Sequence, residues 1–184
     1  MAASVGFLGL TARLVSPTLG VLAGSGVLPD LNWADLWWRR GPGAQLSLAV
    51  GPVTGASVLG PDALIGSVGV AAVLQMAVRP VLHLGSVVAD GYGVSPLIIR
   101  GNVASAVFGA ATVISASAAA SADPRVGDRA RRLAADLLAQ PELVGAGSID
   151  SPDRGAATFR RRSCCLLYRV PGTQLCGDCV LQAR

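Results

Sequence analysis

The sequence predicts a mainly helical α+β domain with one small β-hairpin and a cysteine-rich loop at its C-terminal end. Long segments rich in Ala, Val and Leu, with few charges inside them, are typical of buried helices. One stretch of alternating residues flanks a Gly-Pro-Gly turn and indicates the hairpin. All four cysteines lie between positions 164 and 179, which sets this loop apart from the helical segments.

The length of the chain bounds its domain organisation. With 184 residues it can form one domain with a substantial core and a small appended module. Residues 1–144 are expected to form the helical domain. Residues 145–157 are rich in Gly, Ser, Asp and Pro and are interpreted as a linker. Residues 158–184 then form the C-terminal cysteine module.

Two apolar segments before position 90 predict helices that contain a proline. Residues 3–24 are apolar on all sides, and a break or kink is expected where Ser16 meets Pro17. Residues 61–88 begin with proline and are expected to bend near Pro80. His83 lies on this second helix. A single histidine without an acidic or cysteine companion at helical spacing is interpreted as a packed or surface residue, not as a metal ligand.

Between these two helices the sequence predicts a β-hairpin. Residues 36–40 and 45–50 are expected to be its strands, and residues 41–43 its turn. The region holds all the tryptophan of the chain, Trp33, Trp37 and Trp38. We expect these side chains to pack on a helix, and the alternative is that they wall a ligand groove.

The third predicted helix begins with Ser95 as its cap and extends over residues 96–122. Mean hydropathy of the whole chain is +0.55, and residues 101–122 form an uncharged run as long as a bilayer span. The run is rich in Ala, Ser and Gly and carries Asn102, which favours a buried core helix. No basic region precedes the first apolar segment. We expect a cytoplasmic protein with at most peripheral membrane association.

A fourth helix is predicted after Asp123, which is followed by proline and is expected to act as its cap. Its apolar residues form one stripe: Val126, Ala130, Leu133, Ala134, Leu137 and Leu138. Asp128 and Arg132 are expected to pair on the opposite face.

Composition argues against several classes of function. The chain has no lysine, so it has neither a P-loop lysine nor a Schiff-base lysine. It has one His and one Glu, too few for a typical metallohydrolase site. Net charge is +4, and residues 123–184 carry ten Arg against seven acids. No aromatic platform or helix-turn-helix pattern accompanies these arginines, so we do not expect nucleic-acid binding.

The cysteines form the pattern C-C-x10-C-x2-C, at Cys164, Cys165, Cys176 and Cys179. Four thiolates that come together can hold an iron–sulfur cluster or a structural zinc ion. Zinc sites usually consist of two spaced Cys-x2-4-Cys knuckles, which two adjacent cysteines fit poorly. Disulfides are typical of oxidising compartments, which no leader segment indicates. A thioredoxin-type pair needs a helix after the motif, and only five residues follow. An iron–sulfur cluster is therefore favoured, with zinc as the alternative.

The run R-R-S-C-C-L-L-Y-R-V-P-G-T-Q-L-C-G-D-C resembles the C-terminal signature of the FhuF-like ferric-siderophore reductases, closely over residues 160–181. The stretches R-L-V-S-P at 13–17 and R-G-N-V-A-S-A at 100–106 resemble weaker motifs of that family. The resemblance implies a 2Fe-2S cluster held by the four cysteines. It also makes Arg13, Arg100 and Asn102 candidates for the substrate side. Family members generally carry more chain before the first of these stretches, so we expect a short member or one that lacks part of this region.

Arginines surround the cysteines. Residues 154–169 include five arginines and no acid. Positive charge beside a four-thiolate cluster stabilises its reduced form and so raises its potential. This interpretation applies to Arg160, Arg161, Arg162 and Arg169. The alternative is a solvated turn, and both interpretations stay open on the sequence alone.

The resemblance implies a one-electron reductase that acts on Fe(III) in a siderophore, with the hydroxamate type expected. A ferredoxin or a flavin reductase is the expected electron donor. A chain poor in His and Glu suits this reaction, because reduction of the metal needs no acid–base residue from the protein. The alternatives are an iron–sulfur electron carrier, a structural partner subunit without a substrate site, and a structural zinc module.

Overall fold

The computed structural model describes residues 1–41, 46–58, 66–120, 123–150 and 157–182. Five α-helices are present in these residues: α1 (Ala2–Ser25), α2 (Ser67–Val73), α3 (Arg79–Tyr92), α4 (Pro96–Ala120) and α5 (Pro124–Leu138). Six strands accompany them: β1 (Val27–Asp30), β2 (Leu36–Arg40), β3 (Leu46–Val50), β4 (Thr54–Ser57), β5 (Gly147–Asp150) and β6 (Thr158–Arg161). The predicted mainly helical class is confirmed.

Helix α4 lies at the centre of the fold, packed against α1, α3 and α5. Its buried residues include Val103 and Val107, which belong to the same hydrophobic core as Val15 and Leu19 of α1. The apolar stripe of α5 is confirmed, since these four residues are buried: Ala130, Leu133, Ala134 and Leu137. Burial of these apolar side chains drives the packing of the helices.

Helix α1 continues through Pro17, so there is no break at this position, and the alternative, a kink, stays a prediction. A proline leaves the carbonyl four residues earlier, here that of Arg13, without its helical partner. Both residues are exposed, and water can therefore replace the missing donor.

The helical segment is irregular just before Pro80, where the sequence predicted a bend. A π-helical turn, Leu74–Val78, joins α2 to α3 and ends two residues before this proline, and the bend itself stays a prediction. Pro80 has no N–H to donate to the carbonyl of Met76, and the indole Nε1 of Trp33 donates to that oxygen instead, at 3.3 Å. The predicted start of this helix at position 61 lies outside the described residues.

The predicted β-hairpin is confirmed by the antiparallel pairing of β2 with β3, from Leu36 opposite Val50 to Arg40 opposite Leu46. Most of its predicted turn lies outside the described residues. Trp37 and Trp38 are 73% and 71% exposed, so the expectation that they pack on a helix is wrong. They extend from a two-stranded ribbon whose β2 and β3 are largely exposed. Trp33 does pack against the core.

The sequence predicted a single β-hairpin, and this number is too small, because the described residues contain three two-stranded sheets. Strands β1 and β4 pair around the predicted hairpin. Strand β5 pairs with β6, although residues 147–150 were assigned to a linker. Phe159 helps to explain why this region is ordered as a sheet. Its ring is buried and stacks on Phe108 of α4, with ring centroids 5.4 Å apart. Residues 151–156 of the predicted linker lie outside the described part.

One local detail of the last helices differs from the prediction. Helix α4 covers Pro96–Ala120, and residues 121–122 of its predicted range lie outside the described residues. Asp123 caps α5 by accepting from the N–H of Arg125, as expected. Asp128 pairs with Arg131 and not with Arg132, because side chains three residues apart also meet on a helix surface.

Three helical stretches of the described chain are long and apolar enough to cross a membrane: Ala2–Ser25, Ser67–Tyr92 and Pro96–Ala119. In this fold the three stretches pack against one another. Their apolar residues therefore supply much of the core.

Gly85 provides a test of the packing of α3 against its neighbours. A Cβ at this position would overlap Ile99 of α4 and lie 2.9 Å from Cζ of Phe7 in α1. The variant Gly85→Ala is therefore expected to lose about 1–3 kcal/mol of unfolding free energy, as overpacked cores do. Denaturant titration followed by circular dichroism measures the change.

Gly91 on the same helix is the matched control, because nothing lies within 4 Å of a Cβ placed there. Gly91→Ala is expected to be neutral or to gain up to about 1 kcal/mol from its better helix propensity. Equal stability of the two variants would contradict the described packing of α3.

Candidate metal centre

The cysteine loop brings two of its sulfurs into contact. Sγ of Cys165 and Sγ of Cys176 lie 3.4 Å apart. Cys165 and Cys179 are buried, Cys164 and Cys176 are half-buried, and all four are free thiols. The two halves of the C-C-x10-C-x2-C pattern therefore meet in space.

The four cysteine sulfurs do not all converge on one point. Sγ of Cys164 accepts the N–H of Leu166 at 3.3 Å, and Sγ of Cys179 accepts the N–H of Leu181 at 3.4 Å. Each of these sulfurs thus caps its own turn. Within the described ranges, no group of three or more His, Cys, Asp or Glu side chains is arranged to hold a metal ion. The complete set of four ligands stays a prediction.

The backbone of the loop reverses twice between the two cysteine pairs. Leu166, directly after the vicinal pair, has a φ of 67°, which is uncommon for a leucine. Gly172 has a φ of 77°, a conformation that glycine adopts without steric cost. The C-x2-C segment closes a tight turn in which the N–H of Cys179 donates to the carbonyl of Cys176 at 3.1 Å. These reversals bring Cys165 back to Cys176.

The surroundings of Cys176 favour the protonated thiol. Burial is the largest cause that raises its pKa above the ordinary value, followed by its contacts with Cys165 and Asp178. Thiolates are the form that binds metal, so metal binding at this position must displace a tightly held proton.

Arg161 is not part of a solvated turn, and that interpretation is wrong for this residue. Its side chain is 0% exposed, and Nη2 donates to Oδ1 of Asn102 at 2.6 Å. Its backbone N–H donates to the carbonyl of Asp178 at 3.1 Å, and its Nε lies 3.7 Å from Oδ2 of Asp178. Arg160 is half-buried, whereas Arg162 and Arg169 are exposed. Their predicted effect on cluster potential stays a prediction.

Asn102 connects Arg161 to the first turn of α1. Its Nδ2 donates to the carbonyl of Ser4 at 3.0 Å, and Oγ of Ser4 donates to the carbonyl of Cys165 at 2.8 Å. The result is a buried polar network, defined here as Ser4, Asn102, Arg161 and Asp178. It joins α1, α4, β6 and the C-x2-C turn.

Sequence reasoning missed Ser4 and Asp178 as parts of the site. The signal that could have found the network is Asn102 itself, an amide side chain within a long and largely apolar helix. Such a side chain needs buried hydrogen-bond partners.

The glycine next to Asn102 sets the distance between α4 and the cysteine loop. A Cβ at Gly101 would overlap Oγ of Ser163 and lie 3.5 Å from Nη2 of Arg161. Ser163 Oγ donates to the carbonyl of Leu97 at 2.9 Å. The pair Gly101-Asn102 is thus a docking point for the segment that precedes the first cysteine.

The candidates for a substrate side have partners inside the protein. Arg13 is exposed, and its Nη1 donates to the carbonyl of Gly9 at 2.9 Å. Arg100 donates to the carbonyls of Glu142 and Val144 at 3.0 and 2.8 Å. Asn102 is fully buried, so it does not face solvent as a substrate contact would. A substrate role for the two arginines stays a prediction.

The donor chemistry of the loop fits an iron–sulfur centre. Four thiols lie within one short segment, two of them are already in contact, and no acidic or imidazole ligand is needed to complete the set.

Comparison with known proteins supports the same cofactor. Residues 161–181 match the family model of the FhuF 2Fe-2S C-terminal domain. No curated protein matches the chain, and no solved structure does. The matched segment contains all four cysteines and Arg161. The resemblance to the FhuF-like family is therefore confirmed for this module, and its cofactor is a 2Fe-2S cluster.

The variant Gly101→Ala tests the docking of the cysteine loop on α4. The new methyl group would overlap Oγ of Ser163, and this overpacking is expected to cost about 1–3 kcal/mol in unfolding free energy. We also expect a lower iron content after anaerobic reconstitution. Both quantities are measured against the parent protein.

Two further variants make this test specific. Gly109→Ala on the same helix meets nothing within 4 Å and is expected to keep parental stability and iron content. The double variant Gly101→Ala/Ser163→Ala is expected to recover most of the loss, since Cβ of residue 163 lies at an ordinary contact distance of 3.6 Å. A Gly101→Ala protein that behaves like Gly109→Ala would contradict the docking.

Proposed function

We propose that the protein is an iron–sulfur reductase that transfers one electron to Fe(III) in a siderophore of the hydroxamate type. The observation that carries this proposal is the match of the entire four-cysteine segment to the FhuF 2Fe-2S C-terminal domain. When bound, the cluster supplies the single electron that the reduction needs. Hard oxygen ligands hold Fe(III) more strongly than Fe(II), so the reduced iron leaves the siderophore.

The chain has a single histidine and a single glutamate, and this scarcity of acid–base residues is consistent with the proposed chemistry. Its one histidine, His83, is exposed on α3. Its one glutamate, Glu142, is paired with Arg79 at 2.8 Å, and the hydrogen bond from Arg79 is the main cause that lowers its pKa. An enzyme that releases iron by changing the charge of the metal needs neither a general acid nor a general base.

The exposed face of the cysteine loop is suited to electron exchange. Residues 171–175 are exposed, and Cys164 and Cys176 beside them are half-buried. Arg169, two residues before this exposed stretch, and Arg162, two residues before Cys164, are exposed and carry positive charge. An acidic donor protein, such as a ferredoxin or a flavin reductase, would be attracted by these charges.

We place the reductase in the cytoplasm as part of the same proposal. The long apolar helices pack on one another, and α5 presents charged residues on its exposed side. Peripheral contact with a membrane is compatible with this arrangement.

Stopped-flow mixing of the reduced protein with ferric hydroxamates tests the proposal. We expect reoxidation of the cluster at a rate that saturates with substrate concentration, because electron transfer follows binding. The corresponding Ga(III) hydroxamate has the same charge and cannot accept an electron. It is therefore expected to compete and to slow the reaction.

A control chelate separates the reductase from an electron carrier. Fe(III)–EDTA offers ferric iron without hydroxamate groups, so slow reoxidation with no saturation is expected. If both chelates reoxidise the protein equally fast, without saturation and without inhibition by gallium, the protein is a carrier and not a siderophore reductase.

A further inference from the structure

Among the buried polar residues in the described part of the chain, Arg161 is the one that carries a charge. A buried guanidinium is costly unless hydrogen bonds and an opposite charge compensate it. Its compensation comes from Asn102 on one side and Asp178 on the other. The burial of this charge is therefore tied to the relative position of α4 and the C-x2-C turn.

The buried polar network reaches both halves of the cysteine pattern. Through Asn102 and Ser4 it reaches the carbonyl of Cys165. Through Asp178, which lies between Cys176 and Cys179, it reaches the C-x2-C turn. The first path thus ends at Cys165 and the second at the turn that contains Cys176, and these are the two cysteines whose sulfurs are in contact.

Three polar atoms of the network make no hydrogen bond. Nε and Nη1 of Arg161 and Oδ2 of Asp178 are buried without a hydrogen-bond partner. At 3.7 Å, Nε and Oδ2 are too far apart for a hydrogen bond but close enough for strong attraction at low dielectric. This attraction draws the C-x2-C turn towards Arg161.

We propose that Arg161 is a positioning residue for the cysteine centre: through Asn102 and Asp178 it holds the vicinal pair and the C-x2-C turn together before a cluster binds. The planar guanidinium suits this role, since its five donors point in fixed directions and can serve two partners at once. The inference rests on the thiol centre and not on reductase activity, so it stands or falls independently of the siderophore.

Disulfide mapping of the metal-free protein tests the proposal without a cluster. Limited oxidation with diamide allows Cys176 to pair with Cys165 across the loop or with Cys179 in its own turn. The second pairing is local and needs no docking of the loop. The ratio of the two disulfides, measured by mass spectrometry after proteolysis, therefore reports on positioning and is independent of the overall oxidation rate.

The variant Arg161→Gln is expected to lower this ratio about tenfold, the effect of losing a charge-assisted hydrogen bond. Arg161→Lys keeps the charge but has no planar fork, so only partial recovery is expected. Arg162→Gln is the matched control: Arg162 is the exposed neighbour, and the parental ratio is expected. Circular dichroism establishes that each variant is folded.

A second variant keeps the test decisive if Arg161→Gln does not fold. Ser4→Ala removes the hydrogen bond from Oγ to the carbonyl of Cys165, together with the long 3.4 Å contact of Nδ2 of Asn102 with the same oxygen. We expect it to lower the ratio about threefold, as a neutral hydrogen bond would.

The cluster-loaded protein gives an independent readout. Loss of the buried cation in Arg161→Gln is expected to lower the midpoint potential by about 59 mV, a tenfold change for a one-electron couple. Arg161→Lys keeps the positive charge but not the planar fork, so it is expected to restore the midpoint potential more fully than it restores the disulfide ratio. The proposal is overturned if Arg161→Gln, or Ser4→Ala in its place, gives the disulfide ratio of Arg162→Gln.

Discussion

The burial of the Arg161 guanidinium is the constraint on which the placement of the cysteine loop depends. A charge without solvent contact has to be met by fixed partners, and these are the amide of Asn102 in α4 and the carboxylate of Asp178 between two cysteines. Helix α4, which carries Asn102, packs on three other helices. The helical core that holds Arg161 therefore also holds the loop.

Apolar and steric contacts reinforce the same docking. Phe159 stacks on Phe108 of α4, and Gly101 lets Ser163 approach the helix closely enough to bond to Leu97. Helix α4 thus contacts residues 159–163, directly before the vicinal cysteines, at several points. The helical domain and the cysteine module are joined by more than a linker, because β5, within residues 145–157, is itself paired with β6.

Local patterns predicted most of the fold, and long-range pairings explain what they missed. Helix positions, the cap at Asp123 and the β2–β3 hairpin follow from periodicity and turn residues that are neighbours in sequence. The β1–β4 pairing has no turn signal of its own. Burial of Arg161 depends on a partner 59 positions away, and the bond from Ser4 to Cys165 spans 161 positions. The cysteine pattern indicated the centre, whereas the residues that hold the loop could be identified only in the folded chain.

The central claim is that the cysteine loop, held on α4, carries a 2Fe-2S cluster. Iron and acid-labile sulfide analysis of anaerobically purified protein, together with EPR after reduction, tests it most directly. The account predicts about two iron atoms and two sulfides per chain and an EPR signal that appears on one-electron reduction. A colourless protein with one zinc ion per chain, and no iron–sulfur signal after reconstitution, would contradict it.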